Sequence, residues 1–343
     1  MGAFLQSFSV AALIAITCAR GASAQGANRP DAELQQTVQA IASQHHGSVS
    51  LFAEDLNTGR TVAIQPDKPV ATASVIKLAI LFEALEQVRS GKTNFEDHVA
   101  LKKGDQVAGS GVLLFMDTPL QLTLKDLLTL MVVMSDNTAT NLVIDELGLS
   151  NINARIGWMG LRDTYLYKKI IQPLKEPLPP AIQAEQKKFG LGKTTAREMG
   201  RVMEQIYHCE LGKTGEPVLP GDSALCATAM VMLGNQFYRG DIPRYLDGWN
   251  ATGMGSGTAI GNKSGALDKV RNDVALVASK RGPIVISAFT FENKDESWQA
   301  GNEGEITIAK LAKAIVETWS PEGLAPNEYK PAPTALLNRS GTH

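Results

Sequence analysis

The sequence has few residues of the kinds that metal centres and disulfide-rich folds require. Only 3 cysteines and 5 histidines occur among the 343 residues. The histidines show no His-Glu-x-x-His spacing, and no cysteines cluster with them as zinc ligands. The composition therefore predicts no metal site and no other cofactor.

A large excess of charge of one sign is also missing. The formal net charge is -2, and 20% of the residues are charged, which gives no basis for binding nucleic acid or an anionic membrane surface. The sequence "GKT" occurs at Gly91, Gly192 and Gly212, but none has the earlier glycine of a phosphate-binding loop. No Gly-x-Ser-x-Gly elbow occurs. With 44% hydrophobic residues, the chain is typical of a soluble globular protein.

Residues 1–24 resemble a secretory signal peptide. The apolar run at residues 10–19 is too short to span a bilayer, and Ala22-Ser23-Ala24 has the small residues that a signal peptidase reads. We expect cleavage after Ala24 and a periplasmic or secreted mature chain without a membrane span. A lipoprotein acylated at Cys18 is the weaker alternative, because Thr17 is a poor residue just before such a cysteine.

Export makes the remaining cysteines an even pair in an oxidising compartment. Cys209 and Cys226 flank a polar segment between two helical patterns. They form either one disulfide or two buried thiols, and nothing near them in the sequence would activate a thiolate.

Hydrophobic periodicity predicts one domain over residues 28–320, followed by a loose tail at 321–343. A helix at 31–46 precedes a β-hairpin around Asn57-Thr58-Gly59, and two strands joined at 280–282 precede a closing helix. The segment between these ends is mainly helical. The simplest packing is an α/β fold in which residues 28–74 and 226–320 form an antiparallel sheet flanked by the N- and C-terminal helices, with 75–225 inserted as an all-helical part. A small-molecule site between the two parts is then expected.

Ser74 and Lys77 stand three residues apart at the start of a helical apolar run. A lysine one turn after a serine lies on the same helix face, and a partly desolvated amine beside other cations can deprotonate the hydroxyl. About one Ser-x-x-Lys is nevertheless expected by chance in a chain of this length. Alone, the pair is better explained as an ordinary helix start.

Two further motifs follow in order. Ser135-Asp136-Asn137 lies between two predicted helices, where its residue types would also suit helix capping. Lys263-Ser264-Gly265 leads into the C-terminal strands, whereas the literal Lys213-Thr214-Gly215 lies in a Gly/Pro-punctuated loop. We therefore take residues 263–265 as the third motif.

With these three motifs in this order, the chain resembles the penicillin-recognising serine enzymes, and among them the class A β-lactamases and their relatives. The resemblance extends over roughly residues 30–320 and implies the same α/β fold with a helical insert. It implies that Ser74 is the acylated nucleophile, that Lys77 activates it and that Ser135 passes a proton to the leaving nitrogen. It also implies that Lys263 and Ser264 hold the substrate carboxylate, that Asn137 binds the side-chain amide, and that the N–H groups of Ser74 and Ala266 form the oxyanion hole, with Gly265 among the substrate-binding residues. Arg271 is either a second carboxylate anchor or a surface residue.

The sequence departs from the family in the residue that activates the deacylating water. Class A enzymes carry this glutamate in a Glu-x-x-x-Asn pattern between the second and third motifs. Between Arg162 and Thr194 the only glutamates are Glu176 and Glu185, and neither has an asparagine four residues later. Glu176 is the first candidate because a proline follows it, Glu185 is the second, and the absence of any such base is the third alternative.

Three functions are compatible with these residues. The first is a serine β-lactamase, a hydrolase acting on cyclic amides through an acyl-enzyme. The second is a D,D-peptidase or esterase that β-lactams inhibit, and the third is a scaffold that only binds cell-wall peptides. The complete Ser/Lys/Ser/Asn/Lys set disfavours the third. The expected partner is thus a small β-lactam or a D-Ala-type peptide, and the chain is expected to be a monomer.

Overall fold

A computed structural model describes residues 29–172, 178–212, 219, 221–246 and 259–325. The α-helices in these ranges are α1 Ala32–Ala42, α2 Lys77–Arg89, α3 Leu124–Val133, α4 Asn137–Leu147, α5 Leu149–Trp158, α6 Pro180–Phe189, α7 Ala196–His208, α8 Asp222–Gly234 and α9 Glu303–Trp319. The strands are β1 Arg29–Pro30, β2 Ser48–Asp55, β3 Arg60–Ile64, β4 Val70–Ala71, β5 His98–Leu101, β6 Leu120–Thr123, β7 Tyr165–Leu166, β8 Gly192–Thr194, β9 Ile260–Leu267, β10 Val270–Ser279 and β11 Gly282–Phe291.

The two β-bearing ends of the chain form one sheet, as predicted. Its strand order is β1-β3-β2-β11-β10-β9, and every neighbouring pair is antiparallel except the short β1–β3 pair. β2 pairs with β11 through the register Ala53↔Ile286, which joins the N-terminal hairpin to the C-terminal one. This topology leaves β9 at the edge of the sheet, where the third motif lies.

Helices cover both faces of the sheet. On one face, apolar side chains of α1 and α9 such as Leu34, Val38 and Leu311 join a core with the sheet residues. On the other face α7 packs against β2, β10 and β11, and an added Cβ at Gly200 would lie 2.8 Å from the Phe52 ring. Although α7 falls within the range expected to be the helical insert, its contacts therefore place it against the sheet.

The inserted helical part packs around α2, the helix that follows Ser74. Of the 13 residues of α2, 11 are buried, and α3, α4, α5, α7 and α8 all contact it. A helix enclosed in this way is held at a fixed position by its neighbours. The first motif, at its N-terminal end, thus rests on one of the most buried elements of the fold.

The remaining predictions on chain organisation have mixed outcomes. Cys209 and Cys226 form a disulfide, which decides between the two alternatives. The first residues of the expected tail lie along the sheet, because Ala325 N donates to Ala278 O at 2.9 Å. The predicted signal peptide and residues 326–343 lie outside the described residues. Within the described ranges, every helix is too short or too polar to cross a membrane.

Candidate active site

Ser74 lies in a tight turn at the entrance to α2. Residues 73–76 form a 3-10 turn, and α2 starts directly after it at Lys77. Ala73 has a positive φ of 46°, so the chain bends sharply just before the serine. Ser74 is partly exposed while its neighbours Ala73 and Val75 are buried. The turn therefore leaves the serine accessible on a rigid base.

The Lys77 amine is fully buried and contacts the second motif. Its Nζ donates to Ser135 O at 2.7 Å, to Ser135 Oγ at 3.1 Å and to Asn137 Oδ1 at 3.2 Å. Burial holds the pKa of Lys77 well below its usual value, the charge of Lys263 lowers it further, and only Asp136 acts in the opposite direction. An amine in this setting gives up its proton easily and can serve as a base for a nearby hydroxyl.

The second motif connects α3 to α4 through a strained residue. Ser135 has a φ of 51°, an uncommon conformation for a residue with a side chain. Asp136 is the N-cap of α4, accepting from Ala139 N at 2.9 Å, and it also accepts from Val112 N at 2.6 Å and Leu113 N at 2.8 Å. These bonds hold the turn in place, and Asp136 therefore acts structurally while Ser135 and Asn137 face Lys77.

Lys263 approaches Ser135 from the edge strand β9. Its Nζ donates to Ser135 Oγ at 3.1 Å and to Ser264 O at 2.6 Å. Burial lowers the pKa of Lys263 to about 7, although the charges of Asp273 and Asp241 act to raise it. The hydroxyl of Ser135 therefore lies between two buried amines, one from α2 and one from β9, and burial lowers the pKa of both.

Gly265 allows β9 to lie directly against the turn that holds Ser74. A Cβ built at residue 265 would lie 2.6 Å from Ser74 N and 2.9 Å from Val75 N. Any other side chain would force the strand and the turn apart. The glycine of the third motif thus brings Ser264 and Ala266 beside the nucleophile, and the three motifs meet at one site.

Two polar residues outside the motifs also fix this site. Asn272 on β10 is buried, and its Nδ2 donates to Ala71 O at 2.9 Å and Thr72 O at 3.2 Å. It thereby ties the sheet to the segment just before Ser74. A polar Asn-Asp pair inside an apolar strand pattern is the signal that could have identified it. The second residue is Asn141 on α4, whose side chain holds the backbone of Ile170.

Arg271, the candidate second carboxylate anchor, binds backbone carbonyls of the protein itself. Its guanidinium donates to the carbonyls of Leu267 at 2.5 Å and Ser297 at 2.6 Å, and it lies 4.7 Å from the centre of the Trp298 ring. Glu305 lies 3.5 Å from its Nε. These partners hold both terminal amino groups of the guanidinium on the α9 side of the sheet. The structure therefore argues against Arg271 as a ligand for substrate.

The structure describes only one of the two candidate deacylating glutamates. Glu176 lies outside the described residues. Glu185 lies on α6, where Oε1 accepts from Lys193 Nζ at 2.9 Å and Oε2 accepts from Tyr167 OH at 2.8 Å. The bond from Lys193, followed by that from Tyr167, lowers the pKa of Glu185. Both of its oxygens are thus engaged by residues that belong to none of the three motifs.

The chain is similar in sequence to proteins of one known family. A model of the β-lactamase enzyme family matches residues 33–319. A β-lactamase of Bacillus licheniformis is 22% identical over 296 residues, which cover 85% of each chain. A β-lactamase regulatory protein of Streptomyces cacaoi is 28% identical over 122 residues, 35% of this chain and 39% of that protein.

The fold is also similar to that of solved β-lactamases. The crystal structure of a β-lactamase from Sphaerobacter thermophilus superimposes with a TM-score of 0.68 at 26% identity, covering 84% of this chain and 97% of that one. Together with the match to the family model, this shows that the chain has the β-lactamase fold. The chain belongs to the β-lactamase enzyme family.

Proposed function

We propose that the protein opens β-lactam rings by transferring the acyl group to Ser74. The observation that carries this proposal is the position of Ser135 Oγ, 3.1 Å from the amines of both Lys77 and Lys263. This arrangement links the base beside the nucleophile to a hydroxyl that can pass a proton onward. The names of the relatives support the choice of substrate.

In the proposed reaction Lys77 takes the proton of Ser74, and Ser74 Oγ attacks the lactam carbonyl carbon. The N–H groups of Ser74 and Ala266 stabilise the resulting oxyanion. Ser135 then donates its proton to the lactam nitrogen as the C–N bond breaks, and it is reprotonated from a neighbouring lysine. Lys263 and Ser264 hold the substrate carboxylate, and Asn137 binds its side-chain amide.

A second function, acyl transfer from a D-Ala-type peptide or an ester, is favoured by one specific observation. Glu185 is engaged by Lys193 and Tyr167, and residues 164–172 contain no Asp or Glu. Without a base to activate water, a β-lactam would form a lasting adduct and act as an inhibitor. The two functions share every step up to the acyl-enzyme.

We also propose that the mature protein is exported, which is consistent with the Cys209–Cys226 disulfide, since disulfides persist in oxidising compartments. N-terminal sequencing of protein secreted from a bacterial host tests this proposal. A mature chain that begins at Gln25 would support it, and retention of residues 1–24 would oppose it.

The test of function measures turnover of three substrates under identical conditions: a chromogenic cephalosporin, benzylpenicillin and a peptide ending in D-Ala-D-Ala. Steady β-lactam hydrolysis that is abolished in Ser74→Ala supports the β-lactamase function. D-alanine release together with a stoichiometric burst on the β-lactams supports the peptidase function. If Ser74→Ala behaves like the wild type on all three substrates, both are wrong.

A further inference from the structure

One segment of the chain is fixed to the same helix face that contacts Lys77. Asn137 and Asn141 are four residues apart on α4, so their side chains share a face about 6 Å apart. Asn137 Oδ1 accepts from Lys77 Nζ at 3.2 Å. The next side chain along that face, Asn141, is buried and binds another part of the chain.

Asn141 holds the backbone of Ile170 at both of its polar groups. Ile170 N donates to Asn141 Oδ1 at 2.8 Å, and Asn141 Nδ2 donates to Ile170 O at 2.9 Å. The preceding residues are held in the same way, because Leu166 N donates to Asn153 Oδ1 at 2.9 Å and Asn153 Nδ2 donates to Leu166 O at 2.8 Å. Two asparagines therefore fix both ends of the segment 166–170.

The chain turns away immediately after Ile170. Ile171 has a φ of 58° and a side chain that is 64% exposed, whereas Ile170 is partly buried. A β-branched residue with a positive φ is an uncommon and costly conformation. The sharp bend follows directly after Ile170, the residue that Asn141 holds. Asn141 itself lies one helical turn after Asn137, which accepts a hydrogen bond from Lys77.

Asn141 thus holds the Ile170 backbone one helical turn along α4 from Asn137, whose side chain contacts Lys77, and the side chain at this position is aliphatic. Release of the acyl group requires water oxygen to add to the ester carbonyl carbon while a base takes one water proton. The bond to Ser74 Oγ then breaks, and Oγ recovers a proton. Isoleucine cannot accept a proton, and residues 164–172 contain no carboxylate.

We propose that Ile170 occupies the water-activating position of this site and that its aliphatic side chain makes the acyl-enzyme long-lived. This inference rests on the proposed acylation of Ser74 and concerns only the step that follows it. The protein would then release penicilloyl groups slowly. Its physiological substrate would differ from a penicillin, or its physiological acyl acceptor would differ from water.

The test compares the release rate of a penicilloyl adduct in full-length wild type, Ile170→Glu and two controls. Intact-mass spectrometry follows the adduct after excess benzylpenicillin is removed. General-base catalysis typically contributes about 10²–10⁴-fold, so Ile170→Glu should release the adduct at least about 10²-fold faster than the wild type. Ile170→Gln, of the same size but without a base, and Ile171→Glu, a carboxylate on the exposed neighbour, should release it slowly. Formation of the adduct in each variant shows that the variant is folded.

Three outcomes overturn the inference. The first is an Ile170→Glu variant that forms the adduct and releases it no faster than Ile170→Gln. The second is rapid release by the wild type that is lost in Glu176→Gln, which leaves the proposed function intact. If no variant and no wild-type protein forms an adduct at Ser74, the inference and the proposed acylation fail together.

Discussion

Substituting Gly265 by alanine should damage the site through a single added methyl group. The new Cβ would lie 2.6 Å from Ser74 N, whereas ordinary van der Waals contact begins at 3.4 Å. The strand and the turn must therefore separate by about 0.8 Å. Both contacting atoms belong to backbone, and neither can move aside by changing a rotamer. Overpacking of this kind costs about 1–3 kcal/mol of stability.

The effect on the reaction should exceed the effect on folding. Misplacement of a reacting group by about 1 Å can lower a rate about 10²-fold, and here the displaced atoms include the N–H beside the nucleophile. We expect Gly265→Ala to remain folded, as judged by its thermal melt, and to acylate with a chromogenic cephalosporin about 10²-fold more slowly than the wild type.

A matched control separates the site effect from the general effect of adding a methyl group. Gly157 lies in α5, and a Cβ at that position meets nothing within 4 Å. Gly157→Ala should therefore keep the wild-type acylation rate and gain about 0.5–1 kcal/mol of stability from better helix propensity. Acylation of Gly265→Ala at the wild-type rate would refute the proposed contact between β9 and the Ser74 turn.

Lys263, Asn272 and the Cys209–Cys226 disulfide each lead to a further prediction. The pKa of Lys263 is lowered to about 7, so its positive charge is present below that pH and is lost as pH rises, and kcat/KM for a carboxylate-bearing β-lactam should decline above about pH 7. Lys263→Arg should retain the charge and remove this decline, and a pH profile unaffected by the substitution would exclude Lys263 as the titrating group. Asn272→Ala removes two hydrogen bonds to the carbonyls before Ser74. It should lower the free energy of unfolding measured in urea by about 1–3 kcal/mol and also slow acylation of the folded protein. An unchanged acylation rate would show that Asn272 contributes only to stability. The double variant Cys209→Ser/Cys226→Ser removes a disulfide between residues 17 positions apart. Its free energy of unfolding should be about 3 kcal/mol lower than that of the wild type in the same denaturant. Equal unfolding midpoints and slopes for the two proteins would contradict this prediction.

The sheet and the three motifs could be predicted from the sequence because they depend on local patterns. Alternation around Asn57-Thr58-Gly59 and around residues 280–282 marks two hairpins, and their pairing through β2 and β11 is the simplest way to bury both. The helix expected at 31–46 ends at Ala42, since the polar residues that follow form a turn before β2.

The contacts that complete the site depend on tertiary packing that no local pattern contains. The approach of Gly265 to Ser74 N arises only after the edge strand docks on the turn. Arg271 could not be assigned from the sequence, because the face of β10 on which it lies decides whether it reaches substrate or the carbonyls near α9. The two hydrogen bonds between Asn141 and Ile170 likewise join residues 29 positions apart, and neither residue belongs to a recognised motif.

Peptide mapping of the protein after brief exposure to benzylpenicillin identifies the acylated residue. We expect a mass increase equal to one intact penicillin molecule on the tryptic peptide that contains Ser74, with no adduct in Ser74→Ala and a slower one in Lys77→Ala. An adduct on any other serine, or an equal adduct in Ser74→Ala, would show that Ser74 is not the nucleophile.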